Sequence, residues 1–284
     1  MISIQNLSFF YPKKSALFQE LDWECPAGSI VGLLGKNGAG KSTFLRLLSG
    51  LIFPKSGSVE VNGQYAKDRS PYFLQELFMV PDELALPLHL SVSAYSKMMS
   101  PFYPRFDQAQ FQSILKDFEI EPNSKLGDFS FGQQKKVILA FALSTNCKLL
   151  LFDEPTNGLD IPSKTSFRKA VAANLSEEQT LIIATHLVKD VENLIDRVVI
   201  LADGRVRLDQ DLLELSDRLS FGMAASAPDH AIYMEENKLG VQFIQPRDSG
   251  ENQTPVSLEL LFNAVISGAI STSILSEKNL ASHE

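Results

Sequence analysis

The chain is short of cysteine and tryptophan. Its 284 residues include two cysteines and one tryptophan. Cys25 and Cys147 stand far apart, so no disulfide framework is expected, and a reducing cytoplasm is the natural setting. Long apolar runs are also missing. A membrane-spanning helix needs roughly 18 apolar residues or more. The nearest approach, Leu258 to Leu275, is interrupted by Glu259, Asn263, Ser267, Ser271 and Ser273. No secretory pattern opens the chain, because Met1–Asn6 already reads as a strand. Positive charge is in deficit: 26 Lys and Arg against 34 Asp and Glu, a formal net charge of −8. That balance argues against a general nucleic-acid binder, which carries a basic footprint. Internal repeats are not evident. Hydrophobic residues make up 44% of the chain, enough for a full core and for one large domain, alone or with a small one.

The most specific feature present is Gly35 to Thr43, GKNGAGKST, directly after the apolar run Ser29–Leu34. Gly35, Gly40, Lys41 and Ser42 satisfy the spacing G-x-x-x-x-G-K-[ST]. Such a loop makes a phosphate cradle from backbone N–H groups. Glycines remove the Cβ atoms that would block the approach, and the helix N-terminus that follows adds partial positive charge. Lys41 can reach the β- and γ-phosphates, and the Ser42 hydroxyl can ligate Mg²⁺.

Around this loop the pattern alternates strand and helix. Ile2–Phe10, Leu17–Cys25 and Gly57–Asn62 read as strands of an antiparallel edge. Ser42–Leu51, Ser91–Ser100, Asp107–Phe118, Gln133–Ser144, Pro162–Leu175 and Leu187–Leu194 read as helices. Lys148–Phe152 and Thr180–Thr185 are apolar strands. Arg197–Ala202 and Arg205–Leu208 form a hairpin across Asp203-Gly204. The alternation implies a parallel sheet wrapped by helices. Beyond Leu219 the texture becomes a small α+β appendix. It has a hairpin of Ala231–Glu235 with Val241–Gln245 and a helix capped by Ser257 that runs through Ile270.

Lys148–Glu154, KLLLFDE, places Asp153 and Glu154 at the end of a buried strand. Asp153 would reach toward Mg²⁺, and Glu154 would polarise an attacking water. With these residues in place the chain resembles an ATP-binding-cassette (ABC) ATPase, the nucleotide-binding subunit of a transporter of bacterial exporter type. The motifs cover Ile2 to Leu215 in the family's order. The resemblance implies a P-loop NTPase fold with an antiparallel β subdomain, a helical subdomain of about residues 82–135 and the C-terminal α+β appendix. It divides the chain into an ATP-binding domain, 1–219, and an extension, 220–284.

The same resemblance implies roles for further residues. Tyr11 stands where an aromatic stacks on adenine. Asn37, Gly38, Ala39 and Thr43 complete the phosphate loop. Phe129-Ser-Phe-Gly-Gln133 takes the place of the LSGGQ signature, retaining Ser130, Gly132 and Gln133 with Phe131 in place of the first glycine. That segment contacts the γ-phosphate bound by the other subunit. Asp82 stands where the family has the Q-loop glutamine, and as a hard oxygen ligand it can approach Mg²⁺. Asp160 belongs to the D-loop at the subunit interface. His186 is the switch histidine. ATP and Mg²⁺ are the implied cofactors. The implied partners are a transmembrane permease and a second ATPase subunit, identical or paired, with no nucleic acid. The chain is then expected in the cytoplasm, held at the inner face of the membrane by its permease. Tyr95, Phe102, Tyr103 and Phe106 of the helical arm either line a groove for a permease helix or pack the arm's own core. Two other classes stay open: a soluble ABC ATPase acting on ribosomes or DNA, and a non-catalytic regulatory cassette. Against the first, only about ninety residues, without sustained heptads, separate phosphate loop and signature.

Overall fold

The computed structural model describes residues 1–13, 15–226, 228–248 and 252–270. In chain order it begins with β1 (Ile2–Phe10), β2 (Ala16–Cys25), β3 (Ile30–Leu34), α1 (Lys41–Leu48), β4 (Ser56–Val61) and β5 (Gln64–Tyr65). There follow α2 (Pro71–Leu74), β6 (Leu77–Val80), α3 (Val92–Met99), α4 (Gln108–Asp117), α5 (Phe131–Ser144), β7 (Leu149–Asp153), α6 (Ile161–Asn174) and β8 (Thr180–Thr185). The chain continues through β9 (Arg197–Ala202), β10 (Arg205–Asp211), α7 (Leu212–Arg218), β11 (Leu219–Ala224), β12 (Tyr233–Asn237), β13 (Gly240–Pro246) and α8 (Leu258–Ile266).

These elements build three sheets. The central one has strand order β10-β9-β3-β8-β7-β6, parallel except for the β9–β10 hairpin. An antiparallel sheet of order β2-β1-β4-β5 covers one side. A small antiparallel sheet, β11-β13-β12, carries the C-terminal extension. The central strands are near-continuous apolar runs because both their faces are covered. Val31 and Leu33 of β3, Leu149 and Leu151 of β7, and Ile182 and Ala184 of β8 point into a core shared with β1, β2, β4 and α1. Their neighbours Leu34, Leu150, Phe152, Leu181 and Ile183 point into the opposite core, made with the remaining helices. Period-two alternation thus divides one apolar run between two cores.

In β1 the inward residues Ile4 and Leu7 are three apart, an odd step for a strand. An irregularity in register between them absorbs the extra residue, with Asn6 at φ 47°. The helix starts are local chemistry. Ser91, Asp107, Ser130, Asp160 and Ser257 each accept a backbone N–H in the first turn of the helix they open.

The arm between β6 and β7 has an aromatic centre. Phe141 of α5 lies 4.9–6.0 Å, centroid to centroid, from Phe78, Tyr95, Tyr103, Phe106 and Phe111. Tyr95 is buried, and Tyr103 and Phe106 pack against the same core. Of the four arm aromatics, three are therefore core, and Phe102 alone is exposed, at 66%. Phe141→Ala should cost about 3–5 kcal/mol, since the ring is fully buried and its neighbours cannot all collapse into the space. Urea unfolding measures it, and a loss under 1 kcal/mol would mean this ring cluster is not the arm's core.

Three expectations need correction. Leu187–Leu194 is not an α-helix: Val188–Asp190 forms a single 3₁₀ turn and residues 191–194 are turns. The Asp190 carboxylate is drawn away to Thr156 Oγ1 and Lys164 Nζ, both at 2.8 Å, and this tertiary anchoring wins over helical spacing. The last helix ends at Ile266, not Ile270, because Gly268 at φ 82° terminates it. The extension also contains β11, whose full register with β13 makes a three-stranded sheet from the expected hairpin. Leu219, Phe221, Ile244, Leu258 and Leu261 belong to the same apolar cluster as the central sheet, so the extension shares the main core. Residues 271–284 of that extension lie outside the described residues.

Candidate functional site

The site forms at the carboxyl ends of β3, β6, β7 and β8, which lie side by side in register. Leu34 pairs with Thr185, Asp153 with Ala184, and Phe152 with Val80. In parallel sheets this edge is where ligands bind, because the loops leaving the strands converge there.

The loop after β3 wraps around the Lys41 side chain. Lys41 Nζ donates to the carbonyls of Gly35 at 2.8 Å and Lys36 at 3.4 Å. Gly38 and Gly40 adopt φ 84° and 102°, in the region that favours glycine. A Cβ on Gly35 would come within 2.7 Å of the Leu201 carbonyl oxygen, and one on Gly40 within 2.8 Å of the Phe18 ring. Burial lowers the Lys41 pKa, while Glu154 and Asp153 nearby pull it back up.

A cavity of about 560 Å³ opens beside the loop. Its lining includes Tyr11, Asn37, Gly38, Gly40, Lys41, Ser42, Thr43, Asp82, Glu154, Asn157 and His186. Tyr11 is anchored through its hydroxyl, 3.0 Å from Thr43 Oγ1, and meets Phe9 edge-on at 4.9 Å. Gly35 and Ala39 lie in the same loop but border neighbouring hollows.

Glu154 is the most constrained residue of the site. Its backbone sits at φ 45°, unusual for a residue with a side chain, and its N–H donates to the Ala184 carbonyl at 2.8 Å. Its Oε2 accepts from Thr185 Oγ1 at 2.8 Å. Its Oε1 lies 3.1 Å from the His186 backbone N and 2.8 Å from His186 Nδ1. Carboxylate and imidazole are thus mutually oriented, with the His186 side chain 41% exposed. Thr185 was missed by sequence reasoning. Its one signal is a hydroxyl ending the otherwise apolar Leu181–Ala184.

Asp153 is buried, close to the Ser42 hydroxyl. Burial raises its pKa, and the Ser42 hydroxyl opposes the rise. Among the described residues, Asp153 Oδ1 is the one buried side-chain oxygen or nitrogen without a hydrogen-bond partner. A buried, unpaired carboxylate oxygen beside a serine hydroxyl is a donor set that suits Mg²⁺. That ion is commonly held by one or two carboxylates and the substrate's own phosphates. Asp82 borders the same cavity. Its Oδ1 accepts from Asn157 Nδ2 at 3.1 Å and lies 3.8 Å from the ammonium of Lys135. Neither Asn157 nor Lys135 was singled out from sequence as a partner of Asp82. Lys135 reads there as one polar residue in the helix start Gln133-Gln-Lys-Lys136.

Ser130, Gly132, Gln133 and Asp160 do not line this cavity. Ser130 and Gln133 close a capping box at the start of α5. Gln133 N donates to Ser130 Oγ at 3.3 Å, and Ser130 N donates to Gln133 Oε1 at 2.9 Å. Gly132 packs so closely on the D-loop that a Cβ would meet the Gly158 carbonyl oxygen at 2.6 Å. Asp160 caps α6 by accepting from Ser163 N at 2.9 Å, and the Ser163 hydroxyl, followed by that backbone bond, holds its pKa low.

Helix α8 of the extension also borders the phosphate loop. Lys36 and Asn37 face Glu259, Phe262 and Asn263 across one hollow and Val265 and Ile266 across another. Sequence reasoning gave no sign of this neighbourhood.

Residues 18–157 match the sequence pattern of the family described as ABC transporter. The lantibiotic transport ATP-binding protein SrtF of Streptococcus pyogenes is 30% identical over 221 residues, covering 74% of this chain and 91% of SrtF. The ABC transporter ATP-binding protein YtrB of Bacillus subtilis is 26% identical over 290 residues, covering 94% of this chain and 99% of YtrB. Among solved structures, the dimeric MJ0796 ABC transporter cassette superposes with a TM-score of 0.65 at 23% identity, covering 75% of this chain and 99% of that one. Phosphate loop, acidic strand and histidine converge on one cavity, and the likeness to SrtF runs nearly that protein's full length: the chain belongs to the ABC transporter family, as one of its ATP-binding ATPase subunits.

Proposed function

We propose that this subunit hydrolyses ATP at sites completed by a second ATPase subunit and so drives a separate transmembrane permease in the direction of export. The carrying observation is the division of the site residues. The cavity gathers Tyr11, the phosphate loop, Glu154 and His186, whereas Ser130–Gln133 heads a helix outside it. A helix N-terminus is an anion site, so its natural client is a γ-phosphate presented by another chain. ATP would then act as adhesive between two subunits, and its hydrolysis would release them.

Within each site Lys41 and the N-terminus of α1 would stabilise charge on the transferred phosphoryl group. Glu154, held by Thr185 and His186, would orient the attacking water. His186 spends Nδ1 on Glu154, which leaves Nε2 for a phosphate oxygen. Ser42 and Asp153, with Asp82 beside them, would hold Mg²⁺, which when bound offsets the negative charge of the phosphates. Tyr11 offers a flat face to the adenine.

Among the described residues no helix is long and apolar enough to cross a membrane. The family's division of labour assigns the membrane passage to a permease, and we place this chain on its cytoplasmic face. The arm keeps Leu88, Met98 and Phe102 exposed, apolar surface available for such a partner. By its name SrtF serves lantibiotic transport, which supports the transporter reading.

Mixing two inactive variants tests the shared site. Lys41→Ala removes the loop half and Ser130→Arg the signature half. Each alone should fail to retain ATP in a dimer. Mixed, they should form a heterodimer with one intact composite site that retains ATP. No recovery on mixing would overturn a site shared between identical chains.

A further inference from the structure

Two of the residues at which this chain departs from the family's motifs, Asp82 and Phe131, meet at one buried side chain. Lys135, in the second turn of α5, is 0% exposed. Its Nζ donates to the carbonyls of Pro81 at 3.2 Å and Asp82 at 3.0 Å, and lies 3.8 Å from Asp82 Oδ1. The Phe131 ring lies 5.5 Å from the same ammonium. Phe131 also rests on the D-loop, where a Cβ on Gly158 would come within 2.7 Å of its ring. Asn157, from that loop, donates to Asp82 Oδ1. Q-loop, signature helix and D-loop therefore converge on one ammonium.

A fully buried ammonium is costly unless charge and hydrogen bonds compensate it. Two carbonyls supply hydrogen bonds here. The formal counter-charge closest at hand is Asp82, and a glutamine at that position would supply none. The aromatic ring adds its negative face over the cation, which a glycine at 131 would not. Asp82 and Phe131 are thus two answers to the same demand.

We infer that Lys135 is a positioning residue: it serves as the internal counter-ion of Asp82, fixes that carboxylate at the edge of the nucleotide cavity, and fastens the Q-loop and D-loop to the signature helix. The inference deepens the ATPase reading and rests on it. It makes Asp82 and Lys135 an energetic pair, so that removing one charge is worse than removing both. The loop contacts also predict that the pair transmits the state of the nucleotide cavity to the signature helix within one chain.

The test is a double-mutant cycle of Asp82→Gln, Lys135→Gln and the double variant. Three quantities are measured: melting temperature without nucleotide, ATP affinity in EDTA, and steady-state ATP hydrolysis. Each single variant should melt lower and hydrolyse more slowly than the parent. The double should melt above Asp82→Gln, which strands the buried ammonium, and hydrolyse about 2- to 150-fold faster than the product of the single effects allows, the range typical of residues in contact. Singles too unstable to purify, beside a double that purifies, would show the same coupling. Effects that simply multiply, in both melting and turnover, would overturn the pair. The melting and EDTA measurements need no hydrolysis. If the Glu154 assignment failed, the coupling between Asp82 and Lys135 would still register, and if the coupling failed, the ATPase assignment would stand.

Discussion

Glu154→Gln is expected to lower ATP turnover by roughly 10²- to 10⁴-fold, the usual contribution of a positioned acid–base group, while ATP binding persists. The prediction follows from how the carboxylate is held. Oε1 faces two nitrogens, the backbone N and Nδ1 of His186, and Oε2 faces the rotatable hydroxyl of Thr185. A glutamine can place its amide oxygen at the first position and its NH₂ toward the second. The Thr185 hydroxyl oxygen already accepts from Leu187 N at 2.9 Å and can accept again. Shape and hydrogen bonding survive, so what is lost is negative charge and basicity at the attacking water. ATP then has adhesive function without release, and an ATP-bound dimer should accumulate in gel filtration. Hydrolysis at the parent rate would remove Glu154 from its role as water-orienting group.

Lys41→Ala should weaken ATP binding by roughly 10- to 150-fold, the equivalent of about 1.5–3 kcal/mol for one charged hydrogen bond. Two losses combine. The ammonium no longer meets the phosphates, and the carbonyls of Gly35 and Lys36, which it now bridges, lose their donor. The loop is then free to open where the glycines permit it. Titration with ATP in the absence of Mg²⁺ reads the affinity, and a melting curve separates binding from folding. Affinity equal to the parent's would contradict the phosphate-loop assignment itself.

Features made by contiguous residues are legible in the amino-acid order alone. Gly35–Thr43 is one: strand, glycines, lysine and helix follow each other without interruption, so spacing alone defines the cradle. The helix starts at Ser91, Asp107 and Ser257 are others, since a capping side chain acts within three residues. The Asp203-Gly204 hairpin is a third. The failures have an equally physical cause. Leu187–Leu194 has helical spacing, but Asp190 is claimed by Thr156 and Lys164 from elsewhere in the chain. Tyr95, Tyr103 and Phe106 are as suited by type to a partner as to a core, and Phe141 decides for the core by standing among them. Thr185, Asn157 and Lys135 carry no motif of their own, and each matters through a side chain that sequence distance hides.

The amino-acid order by itself determined that this chain grips a nucleoside triphosphate, that two carboxylates end a buried strand nearby, and that helices and strands alternate around them. Only the tertiary structure decided which groups hold Glu154, that the signature helix stands outside the cavity, that α8 borders the phosphate loop, and that Lys135 pairs with Asp82. Backbone conformation and capping are settled over a few bonds, and so they are written in neighbouring residues. The meeting of Lys135 with a carboxylate 53 positions earlier depends on β6 lying at the edge of the sheet and α5 packing against it, and burial then obliges the ammonium to use whatever charge that packing brings.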